Sequence, residues 1–148
     1  MVRDLADRIF ADADALEREG FTVVSVGADR VLEVITSRDD ASEVLSERYG
    51  PVTVEVLATE THSVVPATLT GYRVADRELI VYYEQAGELE RIDLAEHDDR
   101  VEVAVLERVW NGPTAAVGRS THASGELSEP LEERGVIDAA TGRSLRRR

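Results

Sequence analysis

The segment Gly112-Pro113-Thr114-Ala115-Ala116-Val117-Gly118-Arg119-Ser120 comes close to spelling a phosphate-binding loop. Such a loop needs four residues between its glycines, a lysine, and a following helix whose first amides face the anion. Here five residues separate Gly112 from Gly118, Arg119 takes the lysine position, and no helical period follows. The segment reads instead as a loop with a short edge strand at Ala115–Val117. Ser120-Thr121-His122-Ala123-Ser124 places hydroxyls beside an imidazole. A nucleophilic site also needs the base within hydrogen-bond reach and a third group to orient it. Neighbours on a strand point to opposite faces, so adjacency alone supplies neither, and a polar strand or loop is the expectation.

The three histidines, His62, His97 and His122, include no pair at metal-ligand spacing. His97 lies in Glu96-His97-Asp98-Asp99, with Asp93 just before it. These carboxylates have the oxygen chemistry for calcium or magnesium, but their spacing is not that of an EF-hand loop. A charged turn between strands explains them as well, so neither a metal nor a cofactor is expected. The aromatic residues are few: Phe10, Phe21, Tyr49, Tyr72, Tyr82, Tyr83 and Trp110. Strand alternation sends Tyr82 and Tyr83 to opposite faces, one buried and one exposed. Trp110 ends a strand before Asn111-Gly112-Pro113. It either closes a core, the favoured expectation, or stands as a binding anchor. Trp110, Tyr82 and Tyr83 are therefore the candidate partner contacts.

The elements that would position these residues follow from periodicity. Val2, Leu5, Ile9, Ala13 and Leu16 recur at three and four residues, with Phe10 beside them, which predicts a helix over residues 2–19 ended by Gly20. Phe21–Val26 and Val31–Thr36 are β-branched runs joined by the four-residue turn Gly27–Arg30. Ser37 or Asp39 could cap a second helix, its apolar face Ala41, Val44, Leu45 and Tyr49, closed by Gly50-Pro51. Val52, Val54 and Val56 then alternate with Thr53, Glu55 and Leu57 as a strand with one buried face.

Beyond residue 60 the helical period disappears. Strands are expected at Val64–Tyr72, Leu79–Glu84, Leu89–Leu94 and Val101–Val109, with shorter ones at Gly125–Leu127 and Val136–Ile137. Pro66 places its strand at an edge, and Val101, Val103 and Val105 mark a central one. The fold expected is α+β: an α-β-β-α-β layer over residues 1–59, then a mostly antiparallel β-rich part over 64–142, arranged as a sandwich or an open sheet. The first part offers little material for independent stability, so the two are expected to share one core. Residues 143–148 form a basic tail, expected to be frayed and drawn to an acidic face.

Residues 130–145 carry Pro-Leu-Glu-Glu-Arg-Gly-Val-Ile-Asp-Ala-Ala-Thr-Gly, and residues 77–83 carry Arg-Glu-Leu-Ile-Val-Tyr-Tyr. Together these resemble a group of uncharacterised actinobacterial proteins that end in a Pro-Leu-Gly-x-Arg-x-Val-x-Asp-x-x-Thr-Gly pattern and have an earlier Arg-x-Leu-x-Val-x-Tyr strand. Glu132 departs from that pattern, standing where the group usually has glycine, so a different turn is expected there. The resemblance spans about residues 72–145. It implies a β-rich unit and an actinobacterial source, and it brings no functional residue with it.

Composition narrows the function classes. The chain has 148 residues, no cysteine and a net charge of −13, and all 17 of its cationic side chains are arginine. Without cysteine there is no disulfide, thiolate zinc site or cysteine nucleophile. Arginine in place of lysine, with abundant Ala, Val, Asp and Glu, follows from GC-rich codon usage of the actinobacterial or haloarchaeal kind. The same acidity would steer a basic protein partner and repel nucleic-acid phosphates. No run approaches the ~20 apolar residues of a membrane span, and Asp4, Asp7 and Arg8 interrupt any leader-like start, so a soluble cytoplasmic protein is expected. The function expected is a non-enzymatic acidic interaction module: an accessory subunit, an adaptor, or an inhibitor of a basic protein. The alternatives are a small enzyme or ligand-binding protein with a pocket between its two parts, and a structural component of a larger assembly.

Overall fold

The computed structural model describes residues 4–114 and 118–148. Val2 and the strand expected at Ala115–Val117 lie outside the described residues. The first helical stripe forms, but as two short helices, α1 (Leu5–Ala11) and α2 (Ala13–Arg18). The break falls at Asp12, whose amide is shared between the carbonyls of Arg8 and Ile9 and whose carboxylate accepts the Tyr49 hydroxyl at 2.7 Å. Leu5, Ile9 and Leu16 are buried as the period predicts; Ala13, just after the break, is exposed.

Strands β1 (Thr22–Val26) and β2 (Val31–Ile35) form the expected antiparallel hairpin. Helix α3 (Ala41–Tyr49) follows, and β3 (Thr53–Ala58) returns parallel to β2, giving the sheet order β1-β2-β3. Neither Ser37 nor Asp39 caps α3. Asp40 occupies the cap position without a side-chain cap bond, because its carboxylate is held by Arg38 Nε and Nη2 at 2.9 and 2.8 Å. Leu5, Ile9, Leu16, Phe21, Leu32, Val34 and Leu45 make a buried cluster between the helices and this sheet. The alternation expected of β3 fails near its end: Val34 pairs with Val56 but Ile35 with Ala58, so Leu57 is an inserted residue. Val56 and Leu57 are 51% and 37% exposed.

After residue 60 the described residues contain strands and no helix, as expected. The run expected as Val64–Tyr72 divides into β4 (His62–Pro66) and β5 (Thr68–Ala75), which belong to different sheets. Pro66 has no amide to continue a ladder, and the chain changes sheets across Ala67, whose amide donates to Val105. Strands β6 (Glu78–Gln85) and β7 (Glu88–Glu96) follow, then the long β8 (Arg100–Trp110), β9 (Arg119–Glu126) and β10 (Gly135–Asp138). One sheet runs β5-β6-β9, all antiparallel. In the other, β8 pairs antiparallel with β7 and parallel with β10, and also joins β4. The two sheets bury Leu79, Val81, Tyr83, Val101, Val103, Val105 and Val136 in one cluster. The central role read from Val101, Val103 and Val105 holds, with exposures of 0–1%.

Two compact units result. One comprises Met1–His62 with Trp110–Thr114, the other Ser63–Val109 with Ala115–Arg148. Each of the two apolar clusters lies within one unit. The basic tail is ordered rather than frayed. The Leu145 amide donates to Val136, the Tyr72 amide to Arg146, and the Arg148 amide to Tyr72. The tail is a backbone clasp between β10 and β5. Among the described residues, no helix is long and apolar enough to cross a membrane.

Candidate interaction site

Alternation along β8 buries Val101, Val103, Val105 and Glu107 on one face, and the strand ends at the exposed Trp110. Trp110 is 37% exposed, so the favoured expectation that it closes a core is overturned. Its position is nevertheless fixed. The Asn111 amide donates to the Thr61 carbonyl and Asn111 Nδ2 donates to the Glu60 carbonyl, both at 2.8 Å. These bonds bring His62 edge-on to the indole, with ring centroids 5.7 Å apart and planes at 64°. Gly112 completes the seat: a Cβ there would collide with the indole Nε1 and Cε2 of Trp110. The first glycine of the near-phosphate-loop is therefore needed for an aromatic ring to lie against backbone, and no phosphate site has to be invoked.

Tyr82 and Tyr83 take opposite faces as alternation requires. Tyr83 is 2% exposed and faces the core, which removes it as a partner contact. Burial, with Glu107 nearby, pushes its phenol above the usual 10.0. Tyr82 is half-buried on the outer face. The Arg148 guanidinium stacks 4.4 Å from its ring centroid, and His122 lies tilted against it at 5.9 Å. Arg148 also donates to the Thr70 hydroxyl at 3.1 Å. The tail thus covers one side of Tyr82, leaving Trp110 the more available of the two rings.

Each histidine has its own partner. His62 is at the Trp110 seat, His122 at Tyr82, and His97 Nε2 stands 3.6 Å from Glu102 Oε2. No hydrogen bond between Ser120 or Ser124 and His122 is found among the described residues, although register places all three on one face of β9. No group of three or more possible metal ligands occurs among the described residues. The acidic turn at Glu96–Asp99 borders a groove of about 1020 Å³, whose opposite wall is Ser128–Arg134. Arg134 organises it: one guanidinium donates to the carbonyls of His97, Glu129, Pro130 and Leu131 and to Glu96. Glu96 also accepts the Ser128 amide and hydroxyl at 2.9 Å. The Ser128 amide is the main cause that holds the Glu96 carboxyl below its usual 4.5. These groups are already committed to one another, so the groove is a cross-linked loop pair.

The C-terminal pattern is likewise architectural. Leu131 and Val136 are buried, and Glu132 adopts φ 54, a left-handed conformation that glycine takes more readily than other residues. The Asp138 carboxylate accepts the Ala140 amide at 2.9 Å and turns the chain into the clasp. Sequence reasoning missed His62, whose link to Trp110 depends on long-range pairing. It also missed the exposure of Val56, which alternation puts on the buried face with Val52 and Val54.

Neither a protein-family model, nor a curated protein, nor a solved structure matches this chain.

Proposed function

We propose that the chain is a non-enzymatic interaction module that binds a basic protein, serving as an accessory subunit, an adaptor or an inhibitor. The observation that carries this reading is Trp110, an exposed indole held by Asn111, His62 and Gly112. A pre-positioned tryptophan forfeits little rotamer freedom on binding, and tryptophan is enriched where interfaces concentrate their energy. The net charge of −13 gives the partner its sign and disfavours nucleic acid, whose phosphates share it.

The test is a photo-crosslinking phenylalanine analogue placed at Trp110 in the native cell, with the same analogue at the exposed Glu78 as control. The expected result is a basic protein crosslinked from position 110 and not from 78. Its association rate should fall steeply between low salt and ~0.5 M, where the Debye length shrinks to a few ångströms. A crosslinked partner whose association rate ignores salt would reduce the acidity to codon usage and solubility.

A further inference from the structure

Strand β3 lies at one end of the order β1-β2-β3, so one of its edges has no strand partner in its sheet among the described residues. The Thr53 amide donates to the Arg30 carbonyl on the β2 side. Alternation then aims the amides and carbonyls of Val54 and Val56 at the open edge. Proteins usually blunt such edges with lysine, proline, an inward charge or a bulge that twists the edge away. Residues 53–58 are Thr-Val-Glu-Val-Leu-Ala and contain no basic residue and no proline. The bulge at Leu57 instead presents two apolar side chains together, Val56 and Leu57, at 51% and 37% exposure. It also limits the regular edge to a few residues, which suits a single added segment better than a second sheet.

The charge around the edge selects the occupant. Glu55 and Glu60 are exposed, and Glu33 is the cross-strand partner of Glu55. A second copy of the chain would bring another −13 of charge to the same place. We infer that the open edge of β3 receives one extended segment of a basic protein by strand addition. Backbone bonds would form at Val54 and Val56, apolar side chains would sit on Val56 and Leu57, and arginine or lysine would lie opposite Glu55 and Glu60. This inference rests on the reading of the chain as a module for a basic partner, and it names the mode of recognition.

The probe is an eight-residue peptide of alternating arginine and valine, added to the full chain and followed by amide exchange and chemical shifts. The expected result is slowed exchange at Val54 and Val56. Binding should weaken about tenfold or more when alternate peptide nitrogens are methylated, or when glutamate replaces arginine. Val56→Lys, a surface change that leaves the buried cluster intact, should abolish the protection, and Val56→Thr should keep it. Protection elsewhere, no protection, or indifference to N-methylation would overturn the inference. The two claims fail separately. A basic protein crosslinked at Trp110 whose complex leaves Val54 and Val56 exchanging freely defeats strand addition alone, whereas the absence of any crosslinked basic protein defeats the underlying reading.

Discussion

The unit holding residues 4–62 and the unit holding Arg100–Val109 of the long strand β8 both tie their loops down with arginine, but they place the guanidinium at different depths. In the first, Arg38 holds Asp40 and the Glu19 carbonyl with its side chain 35% exposed, and Arg48 holds Glu19 at 33%. In the second, Arg134 is 13% exposed and donates to four backbone carbonyls. Water can replace the first set of contacts and has little access to the second. The same residue type is thus replaceable solvation in one unit and part of the structure in the other.

The largest effects should come from the two cores. Leu45→Ala in the helical unit and Leu79→Ala in the two-sheet unit both empty fully buried sites, at a cost of about 2–5 kcal/mol each. The two separate clusters predict two unfolding transitions, whereas the shared core expected from the small size of the first part predicts one. Trp110 is the sole tryptophan and belongs to the first unit, so its fluorescence reports that unit's transition. Leu45→Ala should shift the fluorescence midpoint in urea, and Leu79→Ala should shift only the remaining circular-dichroism change. Coincident transitions in both variants would merge the units into one cooperative body.

The turns offer a smaller contrast. At the β6–β7 turn the amides of Ala86 and Gly87 donate to Glu107, a carboxylate only 1% exposed. A Cβ at Gly87 would strike the Arg108 carbonyl. Gly87→Ala should therefore destabilise by about 1–3 kcal/mol. At the β1–β2 turn, a Cβ on Gly27 would come no nearer than 3.4 Å to the Val31 carbonyl. Gly27→Ala should be close to neutral in the same urea titration, and equal losses at the two turns would erase the distinction.

How much the sequence reveals follows the same division. Local periodicity finds α3, the β1–β2 hairpin and the core face of β8, because each is set by residues close in the chain. Long-range events escape it. The break at Asp12 answers Tyr49, 37 residues away. The sheet change at Ala67 depends on Val105, and the ordered tail depends on Tyr72. Alternation along β8 puts Glu107 on the buried face, but its partners, the Ala86 and Gly87 amides, come from a turn 21 and 20 residues away. At the candidate site Trp110 is legible as a residue to watch. Its exposure is not, because the Glu60–His62 segment that seats it arrives from 50 residues earlier.

Acid should weaken both units through carboxylates held below their usual values. Glu19 and Asp40 are lowered chiefly by side-chain bonds from Arg48 and Arg38, and Glu96 chiefly by the Ser128 amide. A carboxyl with a depressed folded-state value contributes stability that is present above its unfolded value. That stability is lost as pH falls from there through the folded value. For Glu96 the loss begins near the usual 4.5 and continues below it. Glu96→Gln should flatten the acid limb of the circular-dichroism transition and leave the fluorescence transition unchanged. An equal effect on both signals would show that the acid response is not divided between units.

The smallest expected difference tests the arginines directly. Arg38→Lys keeps the positive charge and the contact with Asp40, and it loses the planar fork and the stacking 4.6 Å over Phe21. With water at hand, this change should fall within the scatter of ordinary surface substitutions. Arg134→Lys cannot be repaired in the same way. An ammonium has three donors from one nitrogen, and it cannot span carbonyls on both the His97 and Glu129–Leu131 walls. The loops should separate, and exchange of the Ser128 amide, now bonded to Glu96, should quicken before any global melting shift is seen. If Arg38→Lys proved the more damaging of the two, exposure would not be what sets the weight of these contacts. The depth contrast between the units would then have to be replaced by one of bond geometry, in which the paired Nε and Nη2 contacts to Asp40 count for more than the carbonyl contacts of Arg134.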